Sequence, residues 1–303
     1  MTALVFSISS YDDFARDLAS RAELPLGSVE RDTFPDGERY LRIAEDVNHR
    51  DVILVGGTID DAATLELYDL ACAAVEYGAR TLRLVIPWFG YSTMERAVKP
   101  GEAVVAKTRA RLISSIPRPQ LGSEVLLLDL HSEGIPHYFE GTIRPFHVYA
   151  KSLVETLARE LAGETFVLGA TDAGRAKWVE SLANDLRVPA AFVYKRRLSG
   201  QSTEVTAIST KLDGETVVLY DDMIRTGGSL MNAAKAYRAA GAGKMIAIAT
   251  HGVFPGDSLQ KIVASGLFTH IACTNSHPHA QKLGGPDLIV RSAAGLFVPF
   301  LRN

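Results

Sequence analysis

Two adjacent carboxylates and a glycine-rich turn form the stretch of this chain whose residue types most clearly suit ligand chemistry. Asp221 and Asp222 follow 217–220, an apolar run with the composition of a strand buried on both faces. The run 225–230 adds a Thr-Gly-Gly-Ser turn, and 232–240 has the composition of a helix that a glycine ends. The sequence therefore predicts a loop between the carboxyl end of a strand and the amino end of a helix.

This loop has the features of an anion site. Glycines let the backbone approach a ligand closely, and the free N–H groups and dipole at the amino end of a helix favour negative charge. The two carboxylates would repel a phosphate, so they need another partner; sugar hydroxyls fit, and a magnesium ion is possible. We interpret the stretch as a sugar-phosphate site, with ribose against Asp221 and Asp222. An ordinary strand–turn–helix corner with acidic residues facing water is the alternative.

Strands alternate with helices along the chain, which predicts mainly parallel α/β sheets. The order of elements is similar in the two halves, so we predict two domains, 1–145 and 146–303, with a boundary near Pro145. The predicted strands are 3–8, 28–33, 51–56, 81–88, 124–130, 166–170, 190–194, 203–209, 217–220, 245–250, 270–274 and 288–290. The predicted helices are 12–22, 60–77, 103–113, 148–161, 175–186 and 232–240.

Other polar stretches fall at predicted strand ends, where open α/β sheets bind ligands. The Asp-Leu-His run 129–131 would place a carboxylate and an imidazole on one face if the strand continued that far, for magnesium or acid–base chemistry. A buried histidine capped by the aspartate is the alternative. Asp172 either binds a ligand or caps the helix that follows. The cations of 195–197 either offset polyphosphate charge during transfer or lie in a solvated loop.

Composition and charge exclude several classes of protein. The 303 residues carry a net charge of -3, so no global basic field indicates nucleic-acid binding. Cys72 and Cys273 lie far apart in apolar segments, which favours buried thiols in a reducing compartment. We see no signal peptide and no membrane-spanning run, so we expect a cytoplasmic protein.

The motifs taken together resemble the ribose-phosphate diphosphokinase family along almost the whole chain. In that family's order they are FPDGE at 34–38, IPWFGY at 86–91, the Ala-Lys pair at 106–107, LDLH at 128–131, TDAG at 171–174, the Lys-Arg run at 195–197, DDMIRTGGS at 221–229 and ATHGVF at 249–254. The resemblance implies a transferase of nucleotide biosynthesis with two phosphoribosyltransferase-like α/β domains. It would move the diphosphoryl group of ATP to the 1-hydroxyl of ribose 5-phosphate, giving phosphoribosyl diphosphate and AMP.

The resemblance also implies a magnesium cofactor, and a homo-oligomer in which the FPDGE loop reaches the ATP of a neighbouring subunit. Neither nucleic acid nor a membrane is expected as a partner. Carried over by motif, the implied catalytic residues are Lys195 and Arg197, which the family has on a flexible loop. The residues assigned to ATP are Phe34, Asp36, Glu38, Arg96 and His131, and those assigned to magnesium are His131 and Asp172. The residues assigned to ribose 5-phosphate are Asp221, Asp222, Arg225, Thr226, Gly227, Gly228 and Ser229.

The sequence departs from the family pattern on both the nucleotide and the sugar side. Thr93 and Met94 stand where the family has the Arg and Gln that touch ATP. Arg225 stands where the family has a sugar-binding carboxylate, and Arg175 where it has a glycine. Three functions follow: the family's reaction on ribose 5-phosphate, a diverged enzyme acting on a more phosphorylated sugar, or a non-catalytic regulatory partner of a true synthetase. The intact transfer and metal motifs argue against the third.

Overall fold

The structure is a computed structural model that describes residues 3–199 and 202–301, with side chains for all of these except Ala173 and residues 194–207. The chain folds as two compact units. The N-terminal unit comprises the chain up to Tyr149, then Ser276–Pro278, and finally the chain from Ser292 onward. The C-terminal unit comprises Ala150–Asn275 and His279–Arg291. The predicted division at 145/146 therefore differs from the observed one, because two late segments return to the N-terminal unit.

The N-terminal unit is a parallel sheet flanked by helices, with a separate ribbon. Its elements are β1 (Leu4–Ser7), α1 (Asp12–Ala22), β2 (Val29–Thr33), β3 (Arg39–Ile43), β4 (Asp51–Val55), α2 (Asp61–Glu76), β5 (Thr81–Ile86), α3 (Val105–Ser114), β6 (Ser123–Leu128) and β7 (Ile143–Val148). The sheet has the order β1-β4-β5-β6-β7, and all its pairs are parallel. The ribbon is the antiparallel pair of β2 and β3. The Asp60 carboxylate accepts a hydrogen bond from the Ala63 N–H at 2.7 Å, which explains why α2 begins where it does.

Strand β7 corrects the predicted boundary. Pro145 lies within this strand, opposite Val125 of β6, and not in a link between domains. A proline cannot donate to a sheet ladder, so it is tolerated at a sheet edge, and β7 is the edge strand. The sequence predicts a helix over 148–161 and gives no signal for this strand. The helix itself begins at Lys151.

The C-terminal unit repeats the architecture. Its elements, in chain order, are α4 (Lys151–Ala162), β8 (Val167–Ala170), α5 (Ala176–Leu186), β9 (Ala190–Ala191), β10 (Val193–Ser199), β11 (Ser202–Ile208), β12 (Val217–Ile224), α6 (Gly228–Ala239), β13 (Met245–Gly252), α7 (Ser258–Ala264), β14 (His270–Thr274), α8 (Pro278–Leu283) and β15 (Ile289–Arg291). The main sheet is parallel throughout, in the order β15-β14-β13-β12-β8-β9. Helices α7 and α8 were not predicted.

Strands β10 and β11 form an antiparallel ribbon outside the main sheet. The run 203–209 was expected to be an edge strand of the sheet, and 195–197 a polar loop. Both expectations are corrected, because the two runs pair with each other, Lys195 opposite Val205 and Arg197 opposite Thr203. Among the described residues, no helix has the length and apolar character needed to cross a membrane.

The position of β12 in its sheet decides which side chains face which helix. It is paired along both edges, by β8 and β13, so it is an inner strand of the sheet whose two faces are free to pack against helices. Val217 and Leu219 belong to the core that includes Tyr237 of α6. Tyr220 points the other way and stacks on Trp178 of α5, with ring centroids 4.0 Å apart and planes 12° apart. Alternation along the strand therefore gives β12 one face toward α6 and another toward α5.

Candidate functional site

The loop between β12 and α6 has the geometry of an anion site. Gly227 precedes the first residue of α6 in a left-handed conformation, with φ of 76°. Within the described residues, no side chain caps this end of the helix, so its first N–H groups face outward. Thr226 and Ser229 are exposed and add hydroxyls at the same end, and Arg225 is exposed beside them. The loop can therefore hold a phosphate by backbone and side-chain donors.

Asp221 lies inside β12 and not in a turn after it, which lengthens the strand beyond the prediction. It shares the α6 face with Leu219 by strand alternation. One of its carboxylate oxygens accepts a hydrogen bond from the Thr171 hydroxyl at 2.7 Å, and the other accepts one from the Asp222 N–H at 2.9 Å. Burial raises the pKa of Asp221 well above its usual range, and the neighbouring charge of Asp222 adds to the rise. A hydrogen-bond donor or cation placed against this carboxylate would favour its ionised form.

Asp222 occupies a different environment. It is 2% exposed, and it lies on the α5 face with Tyr220. The guanidinium of Arg175 binds it with two nitrogens, Nη2 at 2.6 Å from Oδ2 and Nε at 3.2 Å from Oδ1. The side chain of Arg175 is itself only 12% exposed. The two adjacent carboxylates, which the sequence assigned to one ribose, therefore point to opposite faces, and one of them already has a cationic partner.

Arg175 is a site residue that sequence reasoning did not recognise. It was noted as a departure from a glycine pattern and given no role. The sequence did contain a signal. Arg175 stands at the start of α5, the helix that follows β8, and β8 is the neighbour of β12 in the sheet. The pairing itself joins residues 47 apart in sequence, and only the fold reveals it.

Asp172 follows β8 at the same edge of the C-terminal sheet. Its carboxylate accepts a hydrogen bond from the Gly174 N–H at 2.9 Å, within the short 3-10 turn Ala173–Arg175 that precedes α5. Within the described residues, no side chain caps the first turn of α5. Asp172 therefore orders the turn, and it is not the cap of the helix that the sequence offered as one reading.

In the N-terminal unit, the Asp-Leu-His run is split by the end of its strand. Strand β6 ends at Leu128, and Asp129 adopts a left-handed φ of 40°. Asp129 is 1% exposed whereas His131 is exposed, so the expectation that they share one face is wrong. The unpredicted strand β7 holds the run in place, because the Leu130 N–H donates to Nε2 of His147 at 2.9 Å.

The residues assigned to ATP lie in exposed segments of the same unit. Phe34 is 50% exposed in the turn that joins β2 to β3, and Gly37 closes that turn by donating to its carbonyl at 2.8 Å. Asp36 and Glu38 are exposed in the same turn. The side chain of Arg96 is 78% exposed and lies 3.4 Å from the Glu95 carboxylate.

The residues that replace the family's ATP contacts are exposed as well. Thr93 is exposed, and Met94 is 43% exposed. The catalytic assignments fall on Lys195 and Arg197 of β10, whose backbone belongs to the β10–β11 ribbon while their side chains lie outside the described part of the structure.

Of the two residues assigned to magnesium, Asp172 and His131, only Asp172 has the kind of donor that this ion prefers. Among the side chains that the structure describes, no three of His, Cys, Asp or Glu are grouped so as to hold a metal. Magnesium commonly takes one or two carboxylates and completes its shell with water and substrate phosphates, so the carboxylate of Asp172 fits it. The imidazole of His131 is a softer ligand than magnesium usually selects.

Comparison with known proteins identifies the family. A protein-family model described as the N-terminal domain of ribose phosphate pyrophosphokinase matches residues 3–116, and one described as a phosphoribosyl synthetase-associated domain matches 202–288. The ribose-phosphate pyrophosphokinase of Synechococcus elongatus is 33% identical over 298 residues, covering 96% of this chain and 87% of its own. The chain belongs to the ribose-phosphate pyrophosphokinase family.

Further members of the pyrophosphokinase family agree with this assignment. The ribose-phosphate pyrophosphokinase of Mycoplasma pneumoniae is 29% identical over 303 residues, covering 97% of this chain and 90% of its own. The crystal structure of phosphoribosylpyrophosphate synthetase from Mycobacterium smegmatis superposes with a TM-score of 0.87 at 25% identity, covering 100% of this chain and 98% of that one. The predicted family, fold class and enzyme class are confirmed, since pyrophosphokinase and diphosphokinase name the same activity.

The loop between β12 and α6, with Gly227 at its end, can be tested by its conformation and packing without any ligand. A Cβ on Gly227 would lie 2.5 Å from the Ile262 side chain, whereas one on Gly256, which also has a left-handed φ (59°), would meet nothing within 4 Å. We expect Gly227→Ala to lower the free energy of unfolding by about 1–3 kcal/mol more than Gly256→Ala, because it adds overpacking to backbone strain. Urea unfolding of both variants measures the difference, and equal losses would contradict the described loop geometry.

Proposed function

We propose that this protein transfers the diphosphoryl group of ATP to the 1-hydroxyl of ribose 5-phosphate, releasing phosphoribosyl diphosphate and AMP. The observation that carries the proposal is the carboxylate of Asp221 on the same face of β12 as the uncapped amino end of α6. A sugar phosphate needs both groups, since its phosphate requires donors and its hydroxyls require an acceptor. Similarity to ribose-phosphate pyrophosphokinases along 96% of the chain supports the same reaction.

On the sugar side, the backbone N–H groups of Gly227, Gly228 and Ser229 and the hydroxyls of Thr226 and Ser229 hold the 5-phosphate. Asp221 accepts a hydrogen bond from a ribose hydroxyl. Its orientation is supported by the Thr171 hydroxyl at 2.7 Å. Asp222 was assigned to the ribose from sequence, but its ion pair with Arg175 supports an indirect role for it.

On the transfer side, the 1-hydroxyl of the sugar attacks the β-phosphorus of ATP and loses its proton to solvent. The bond from that phosphorus to the bridging oxygen of the α-phosphate breaks, and AMP leaves with that oxygen. Lys195 and Arg197 stabilise the negative charge that spreads over the moving phosphoryl oxygens. Bound magnesium would neutralise polyphosphate charge, with Asp172 and His131 as its assigned protein contacts. The adenine is held by Phe34, with polar contacts from Asp36 and Glu38, and Arg96 supplies a cation toward the phosphates.

We also infer that the protein works as a homo-oligomer in which the β2–β3 turn of one subunit completes the ATP site of another. The exposed aromatic side chains of this ribbon support the inference, because Phe34 and Tyr40 are 50% and 40% exposed. Exposed aromatic rings at a turn tip are typical of surfaces that bind a ligand or a partner.

The deciding experiment is an assay of purified protein with ATP, magnesium and a panel of pentose phosphates, followed by release of AMP. Production of AMP and phosphoribosyl diphosphate with ribose 5-phosphate supports the proposal. AMP release only with a sugar bisphosphate favours a diverged enzyme of the same fold, a candidate that the exposed cation Arg225 at the phosphate loop supports. No AMP release with any sugar favours a non-catalytic partner of a true synthetase.

Lys195→Ala tests the transfer role. We expect turnover to fall by about two decades, equivalent to about 3 kcal/mol, because the ammonium meets the phosphates mainly in the transition state. Affinity for ATP and for ribose 5-phosphate, measured by calorimetry, should change little. Lys211→Ala, at an exposed position after β11, is the matched control. Normal turnover with a raised KM would instead make Lys195 a ground-state binding residue.

Arg225→Asp tests the altered sugar loop. A guanidinium has only donors and cannot accept a hydrogen bond from a sugar hydroxyl, whereas it binds phosphate well. We expect the variant to raise kcat/KM for ribose 5-phosphate, because an acceptor returns beside the ribose. Steady-state rates with ribose 5-phosphate and with a sugar bisphosphate measure the change. A flat or lower rate with ribose 5-phosphate would indicate that the natural acceptor carries additional negative charge.

Mixing two inactive variants tests the shared ATP site. Phe34→Ala and Lys195→Ala remove residues that, in the proposed oligomer, reach one active site from different subunits. After the subunits are unfolded and refolded together in equal amounts, we expect about a quarter of wild-type activity, because half of the sites in half of the pairs are intact. Activity no higher than that of the separate variants would place both residues in sites built from a single subunit.

A further inference from the structure

The ion pair between Arg175 and Asp222 is built into the sugar end of the C-terminal unit. Both side chains are nearly enclosed, at 12% and 3% exposure, and both carboxylate oxygens are engaged by the guanidinium. Planar two-point pairing of this kind fixes geometry as well as charge, and lysine cannot reproduce it. The pair sits one step along β12 from the carboxylate of Asp221, which faces the phosphate loop.

The surroundings of the pair hold it in place. On the same face of β12, Tyr220 stacks on Trp178 one turn into α5, with centroids 4.0 Å apart. Arg175 itself immediately precedes α5, so its backbone is anchored by that helix. Breaking a buried ion pair by removing one partner leaves an uncompensated charge. Asp222 is therefore committed to Arg175 unless a ligand offers an equally good partner.

Asp221 has the opposite arrangement. Its partners are the Thr171 hydroxyl and the backbone N–H of Asp222, both neutral donors. It is half-buried, whereas Asp222 is 2% exposed. A carboxylate whose partners are neutral donors gains from a further hydrogen bond, which would also offset the cost of its burial, whereas the charge of one enclosed with a guanidinium is already compensated.

We propose that Arg175 is a specificity-determining residue of the sugar site, because it holds Asp222 away from the substrate and leaves Asp221 as the single carboxylate that meets the ribose hydroxyls. The inference rests on the proposed function and concerns how that site selects its sugar. Of the two neighbouring hydroxyls at C2 and C3 of ribose 5-phosphate, one is held by a carboxylate and the other is not.

Activity should therefore depend much more on one of the two hydroxyls than on the other. A hydrogen bond to a charged group contributes more than one between neutral groups, so removing the held hydroxyl should lower kcat/KM by about 10- to 100-fold. Removing the other should change kcat/KM by about threefold or less. A site in which both carboxylates met the ribose would lose activity strongly with either deoxy sugar.

The experiment measures kcat/KM of the full-length enzyme, with ATP and magnesium, for ribose 5-phosphate, 2-deoxyribose 5-phosphate and 3-deoxyribose 5-phosphate. The expected wild-type result is one tolerated and one rejected deoxy sugar. Strong rejection of both, or tolerance of both, would overturn the inference while leaving the proposed function intact. Failure to turn over ribose 5-phosphate would overturn the proposed function, and the inference with it.

Variants then attribute the pattern to the ion pair. Arg175→Gly releases Asp222, and the previously tolerated deoxy sugar should lose about tenfold relative to ribose 5-phosphate. Arg175→Lys keeps the charge but loses the two-point pairing, so it should shift the ratio in the same direction as Arg175→Gly by a smaller factor. Arg159→Ala is the control, because Arg159 binds Glu164 and the Leu186 carbonyl at the far end of α5. Loss of folding alone would lower the rates for all three sugars together and leave their ratios unchanged.

If Arg175→Gly does not fold, Asp222→Asn and Asp221→Asn decide the question, since both preserve side-chain shape. Asp222→Asn should keep the wild-type preference between the deoxy sugars. Asp221→Asn should remove it, because the carboxylate that distinguishes the hydroxyls is gone. The reverse result, with the preference lost only in Asp222→Asn, would show that Asp222 is the sugar ligand and would overturn the inference.

Discussion

Alternation of side chains along a strand covered on both faces is the constraint on which the candidate sugar site depends. Strand β12 is paired on both sides, and its successive residues must point toward α6 and α5 in turn. The alternation continues to the end of the strand, so the side chains of Asp221 and Asp222 point to opposite faces of the sheet. Two carboxylates that are adjacent in sequence therefore have different partners. Asp221 accepts a hydrogen bond from Thr171, and Asp222 forms an ion pair with Arg175.

The sequence predicted the elements whose signal is local. Apolar runs such as 217–220 and 270–274 identified central strands, and the helix predicted over 60–77 corresponds closely to α2. Strand β7 was missed because Arg144-Pro145-Phe146-His147 has neither clean alternation nor a continuous apolar run, and edge strands do not need one. The continuation of β10 through 195–197 was read as a loop because its cations resemble a solvated segment.

The sequence predicted the separate segments of the candidate site, but it did not predict which side chains contact each other. The strand–turn–helix geometry of 217–240 could be predicted, because an apolar run followed by a glycine turn and a helix has a local physical meaning. The partner of Asp222 could not, because Arg175 is far away in sequence and the two meet only once β8 and β12 are adjacent. The same holds for the Asp-Leu-His run, whose shape depends on where β6 ends and on a contact from His147 of a strand that the sequence did not reveal.

The two departures from the family pattern on the sugar side, Arg175 and Arg225, both add positive charge. Arg175 neutralises one carboxylate of the pair, and Arg225 adds a cation at the mouth of the phosphate loop where the family pattern has an acid. A phosphate bound at the amino end of α6 is therefore opposed by fewer uncompensated negative charges than in a site with the full set of acids. If the loop binds phosphate as proposed, the added cation Arg225 favours that binding modestly, because an exposed charge is screened by solvent. Under the proposed assignment the sugar ring meets fewer acceptors, so we expect recognition to shift from the hydroxyls of the ligand toward its phosphate.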